Sequence, residues 1–220
     1  MMLKIEEIMT ASAVIPVIVI EDIHKAIPLA QALVNGGLQV LEVTLRSDCA
    51  LQAITEIKQA VPNAIVGAGT VITASDYSNA VAAGSEFLVS PGSTPALIDI
   101  AMDSEVPLLP GISTPSEAMT LLERGIHHMK FFPAQAAGGI PMLKSLAGPF
   151  PQLKFCPTGG INETLAPGYL ALDNVLCIGG SWMLDKELID NSDWAAIERK
   201  ARVAASLSSH LVTNVMAQEF

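Results

Sequence analysis

One pattern runs the length of the chain and restricts its fold more than any other feature. Short β-rich runs appear as "AVIPVIVI", "QVLEVTLR", "AIVGAGTV", "EFLVSPG", "VPLLPGIS", "HHMKFFPA", "LKFCPTGG" and "NVLCIGGS". Each is bounded by Gly, Pro, Ser or Thr, the residues that punctuate strand ends. Between them, "HKAIPLAQALVNGG", "CALQAITEIKQAVP" and "SEAMTLLERG" repeat apolar residues at three- and four-residue intervals, as amphipathic helices do. Strand starts recur about every 20 to 27 residues, the span of a compact βα unit. Such alternation makes the strands parallel and covers the sheet with helices.

Eight such units predict an α/β fold, a single (β/α)8 TIM barrel of parallel strands. A doubly wound open sheet is the rival, and it announces a nucleotide site by G-x-G-x-x-G directly after a strand. Here "VGAGTVIT" holds G-x-G without the third glycine, so the barrel fits better. No low-complexity segment, charge block or linker divides the chain, and residues 1–220 read as one domain. The stretch "LKIEEIMTAS" predicts an extra N-terminal helix ahead of the first strand.

Composition narrows the class of function. Half of the residues are apolar, yet no run approaches the roughly 18 to 20 apolar residues of a membrane span. The N-terminus carries acids where a signal peptide carries a basic region, so the expected compartment is the cytoplasm, with no membrane partner. A net charge of −10 argues against nucleic acid. It leaves room for a small anionic substrate held by local cations and backbone amides. Cys49, Cys156 and Cys177 are odd in number and lack paired or metal-ligand spacing, as packing thiols in a reducing compartment do. The apolar surplus points to a buried subunit interface.

In a barrel of this kind the active site lies at the C-terminal ends of the strands. That rule separates the two lysines of the strand runs. Lys154 opens "KFCPTGG", near the bottom of its strand, where its stem reaches solvent. Lys130 sits late in "HHMKFFPA", among aromatic neighbours near the mouth. Burial there disfavours the ammonium and makes the free amine available as a nucleophile. In "LEVTLR", Glu42, Thr44 and Arg46 share one face, while the apolar residues share the other. Glu42 is then the deeper acid/base candidate, and Arg46 at the rim is shaped to fork onto a carboxylate while opposing protonation of Lys130. A structural ion pair is the plain alternative for these two. The Thr70 hydroxyl, ending "GAGT", is placed to help bind the same carboxylate.

Two glycine clusters end the seventh and eighth runs. Thr158, Gly159 and Gly160, with Gly179, Gly180 and Ser181, fall where this architecture builds phosphate sites from backbone amides. His127 and His128 are adjacent, point to opposite faces and read as structural. No His or acidic pair has metal-ligand spacing, so neither metal nor cofactor is expected. An amine, a carboxylate, a carboxylate clamp and a phosphate cradle together suit imine formation with a 2-oxo acid, followed by carbon–carbon cleavage or formation. A metal-free sugar-phosphate isomerase or epimerase is one rival, and a non-catalytic phosphometabolite-binding barrel is another.

Six motifs in order, "LEVTLR", "IVGAGTV", "PLLPGIST", "KFFPA", "CPTGG" and "CIGGSW", resemble the class I 2-keto-3-deoxy-6-phosphogluconate (KDPG) aldolases. These are also classed as 4-hydroxy-2-oxoglutarate (KHG) aldolases. The resemblance implies a cytoplasmic homotrimer of (β/α)8 barrels that needs no metal. It makes Lys130 the Schiff-base lysine, Glu42 the proton-transfer residue, and Arg46 and Thr70 the ligands of the pyruvate carboxylate. Ser181 and the glycines of "TGG" belong to the phosphate end. One departure lies after "KFFPA", where family members often carry Glu and Asn-Gly-Gly. This chain reads "QAAGG", with Gln135 and Ala137, which leaves substrate preference, including that for the galactonate epimer, open.

Overall fold

A computed structural model describes residues 4–207. Every β-rich run carries a strand: β1 (Val14–Ile18), β2 (Val40–Thr44), β3 (Ile65–Gly69), β4 (Phe87–Val89), β5 (Leu108–Leu109) with β6 (Gly111–Ile112), β7 (His128–Phe131), β8 (Lys154–Pro157) and β9 (Ile178–Gly180). All pairings are parallel. One curled sheet runs β5-β4-β3-β2-β1-β9, and a second runs β6-β7-β8.

The fifth run is split because Pro110 has no N–H to give a ladder. The chain changes partner at that residue: β5 pairs with β4, β6 pairs with β7, and the Pro110 carbonyl accepts from Lys130 N at 2.9 Å. At the other flank, β8 meets the first sheet through the bridges Phe155↔Val175 and Thr158↔Gly179.

Helices α2 (Ala26–Asn35), α3 (Ala50–Ala60), α4 (Ala74–Ala82), α5 (Pro95–Met102), α6 (Pro115–Glu123), α7 (Gly139–Ala147), α8 (Ala166–Leu170), α9 (Lys186–Asp190) and α10 (Trp194–Ala205) follow the strands. Several start where the sequence supplies a cap. Thr73, Thr94 and Thr114 accept from the backbone N–H three residues on, and prolines occupy the first helical position of α5 and α6. Among the described residues, no helix is long and apolar enough to cross a membrane.

Alternation along the strands sorts the side chains into two cores. Outward residues such as Leu41, Val43, Val66, Leu88, Phe131 and Phe155 pack with the helices. Inward residues Ile15, Val40, Phe87, Val89, Leu109, Cys156 and Cys177 form a separate cluster on the concave face. Helix α1 (Ile5–Ala11) inserts Ile8 and Met9 into that cluster, with Ile5 and Ile65 packed at its edge. The N-terminal ends of the strands are therefore sealed by apolar side chains, and the polar groups lie at the other end.

Candidate active site

Glu42 projects from the middle of β2 and Lys130 from β7, strands that do not pair with one another. Curling of the sheet brings them together: Lys130 Nζ donates to Glu42 Oε1 at 3.3 Å. Both are buried, at 5% and 4% exposure. Taking either charge out of water costs several kcal/mol, and each is tolerated because the other is present. The Lys130 amine also lies 5.3 Å from the centre of the Phe132 ring, whose negative face favours a cation there.

Space for the carboxylate comes from Gly69. A Cβ at that position would overlap the Glu42 side chain, so the neighbouring strand must carry no side chain there. The sequence signal was present in the "GAG" of β3, but only the register Glu42↔Gly67 and Thr44↔Gly69 shows what the glycine accommodates. Beneath the pair, the Cys177 thiol is pushed well up by its hydrogen bond with Cys156, then by burial and by the charges of Cys156 and Glu42. It stays a thiol and is no nucleophile.

The charge in contact with Lys130 is the Glu42 carboxylate. Arg46 lies exposed just past β2, and its Nε donates to Thr44 Oγ1 at 3.2 Å. Thr44 Oγ1 in turn donates to the Ile18 carbonyl at 2.8 Å, which makes Thr44 a brace for the arginine stem. On the adjacent strand, Thr70 is half-buried just past β3 with a φ of 60°. A β-branched residue in the left-handed region is strained by about 1–3 kcal/mol, and such strain collects at functional sites.

The glycine clusters also meet. Gly159 and Gly160 form a left-handed turn after β8, with φ of 103° and 75°. The bridge Thr158↔Gly179 sets the turn beside β9. Thr158 is buried, and its hydroxyl turns back to donate to the Cys156 carbonyl at 3.5 Å. Gly179 and Gly180 lie within β9 and pair with Ile15 and Pro16 of β1. A side chain at Gly179 would overlap Thr158, and one at Gly180 would overlap Trp182. Ser181 is exposed at the strand end and borders a cavity of about 270 Å³ that reaches Val17, Lys25 and Lys186. Both of those lysines are engaged by Asp190, at 3.5 and 3.2 Å. Among the described residues, no three of His, Cys, Asp or Glu are grouped to hold a metal ion.

Lys154 is remote from this constellation. It starts β8 and donates to the Asp173 carbonyl at 2.9 Å. His128 is half-buried at the start of β7, and burial, outweighing the attraction of Glu6, holds its imidazole below the ordinary range.

The architecture and the site thus define a parallel α/β protein with a buried amine–carboxylate pair and a glycine-rich rim at the carboxyl ends of its strands. Comparison with known proteins gives the family. A family model described as KDPG and KHG aldolase matches residues 5–200. The chain is 48% identical over 201 residues to the 2-dehydro-3-deoxy-phosphogluconate aldolase of Dickeya dadantii, covering 91% of this chain and 94% of that one. It is 48% identical over 199 residues to the KHG/KDPG aldolase of Escherichia coli K12, covering 90% and 93%. A crystal structure of KDPG aldolase from Legionella pneumophila, with pyruvate captured as a covalent carbinolamine intermediate, superimposes with a TM-score of 0.91 at 48% identity, covering 93% of this chain and 99% of that one. The chain belongs to the KDPG and KHG aldolase family.

Proposed function

We propose that this protein is a class I aldolase that cleaves KDPG to pyruvate and glyceraldehyde 3-phosphate, and 4-hydroxy-2-oxoglutarate to pyruvate and glyoxylate. The observation that carries the reading is the buried pair, Lys130 Nζ at 3.3 Å from Glu42 Oε1, where both the attacking amine and the proton acceptor are needed.

The pair explains how an amine in contact with a carboxylate becomes a nucleophile. Moving one proton from Lys130 to Glu42 removes both buried charges at once. The free amine attacks the 2-oxo carbon, Glu42 gives that proton to the departing hydroxyl, and water leaves to give a protonated imine beside a Glu42 that is again a carboxylate. The C4 hydroxyl gives its proton to Glu42, directly or through a water. The C3–C4 bond breaks, its electrons flow into the imine to form an enamine, and the aldehyde departs. Glu42 returns the proton to C3, and water then releases pyruvate and regenerates Lys130. Arg46 and Thr70 hold the pyruvate carboxylate from the ends of neighbouring strands. The backbone of Thr158, Gly159 and Gly160, together with Gly179, Gly180 and Ser181, takes the phosphate of the larger substrate.

The same reading makes residues 1–220 one domain and closes the two sheets into a (β/α)8 barrel with α1 as its floor. Support comes from the change of partner at Pro110, the bridges between β8 and the first sheet, and the contact from β2 to β7 across the concave face. A cytoplasmic homotrimer working without metal or cofactor completes the proposal, on the resemblance of the six motifs.

Borohydride reduction in the presence of pyruvate, followed by peptide mapping, tests the mechanism. A reduced adduct on Lys130 is expected. An adduct on Lys154 would overturn the assignment of the site, and no adduct would favour an isomerase or a binding protein.

A further inference from the structure

We propose that Gln135 and Tyr169 form a bracket that sets the Gly159–Gly160 turn for phosphorylated substrates, so that both are positioning residues for one substrate class. The inference rests on the aldolase reading and adds to it a determinant of specificity. The loop after β7 lies directly against the turn after β8. Ala134 N donates to the Thr158 carbonyl at 2.8 Å, and Gln135 N donates to the Gly159 carbonyl at 3.1 Å. These bonds consume the carbonyls of the turn. The two glycines take consecutive positive φ values of 103° and 75°, a tight backbone turn of the kind whose N–H groups suit an anion.

What fixes the turn is the Gln135 side chain. A Cβ on Gly160 would come within 2.8 Å of Gln135 Cβ and Cγ, so the glutamine stem lies across the glycine. Its amide Nε2 then donates to the Tyr169 hydroxyl at 2.9 Å. Tyr169 is fully buried on α8, and burial pushes its phenol up, which keeps it a neutral hydroxyl. The exposed loop is thereby tied to a rigid anchor. Without the bond, the amide has no hold on the core and the glutamine stem is free to leave Gly160, while the two backbone bonds remain. Lys130 lies within β7 itself, and Glu42, Arg46 and Thr70 lie on or just past β2 and β3, so none of them takes part in this contact.

The test measures steady-state cleavage of KDPG and of 4-hydroxy-2-oxoglutarate by the wild type, Gln135→Ala, Tyr169→Phe and the double variant. Each single change is expected to raise KM for KDPG about three- to tenfold, the range for loss of one hydrogen bond. The kcat values, KM for the unphosphorylated substrate, and borohydride trapping of pyruvate on Lys130 stay as in the wild type. The double variant is no worse than Gln135→Ala alone, because both changes remove the same bond. Equal rises for both substrates, no rise at all, or additive single effects would overturn the bracket. A wild type that releases no pyruvate from KDPG would instead overturn the aldolase reading.

Discussion

Lys130 and Lys154 stand on neighbouring strands, two register steps apart, yet their environments are opposite. In the ladder between β7 and β8, His128 pairs with Lys154 and Lys130 pairs with Cys156. Lys154, at the N-terminal end, sends its stem to the surface and binds a backbone carbonyl. Lys130 points into the concave face and is held there by Glu42. The difference extends to the two ends of the sheet. One end is filled by Ile8 and Met9 of α1, the other by paired charges, glycines and a strained threonine. A strand end that packs apolar groups supplies stability, while the polar end spends part of that stability on chemistry.

The comparison is broken most directly at the lysines. Lys130→Ala should reduce KDPG cleavage to background and abolish the pyruvate adduct, whereas Lys154→Ala keeps both. A coupled assay of pyruvate release and mass mapping reads the two together. Glu42→Gln comes next. It should lower kcat by about 10²- to 10⁴-fold, while borohydride still traps pyruvate on Lys130. Loss of trapping in that variant would mean that water cannot stand in for Glu42 in taking the proton from Lys130.

At the sealed end the effect should fall on stability alone. Met9 is fully buried, and Met9→Ala should cost about 2–5 kcal/mol in chemical denaturation, with kcat unchanged. A fall in kcat matching that of the polar-end variants would erase the distinction between the two ends.

The smallest effect sharpens the comparison from the polar end. Glu117 caps α6 by accepting from Ser113 N and Thr114 N, each at 2.8 Å. Burial works to raise this carboxyl, but the hydrogen bonds from Ser113 and Thr114 outweigh it and hold it below the ordinary glutamate range. A lowered folded value means that the stabilisation is present above the unfolded pKa of about 4.3 and disappears as pH falls through the folded value. Glu117→Gln should therefore cost about 0.5–1 kcal/mol at neutral pH, as exposed caps do. The gap in Tm to the wild type should close below about pH 4. A gap that persists in acid would show that the charge is not what caps the helix.

The strand-bearing runs were legible because parallel strands buried on both faces need β-rich runs with hard stops, and the helices because their apolar spacing is periodic. Lys130, Glu42, Arg46, Thr70 and the glycine clusters stood out as candidates because an amine, charged groups and glycines in strand runs violate what a plain core requires. The sequence could not show that Glu42 and Lys130 are in contact. Those residues are 88 positions apart, and their contact exists only because the sheet curls. Nor could it show that Gly69 makes room for a carboxylate, that Thr158 turns its hydroxyl inward, or that Pro110 hands the chain from β4 to β7. Local pattern determines which elements form and which residues are costly. Register and curvature, set by packing across the whole chain, decide which of those residues meet.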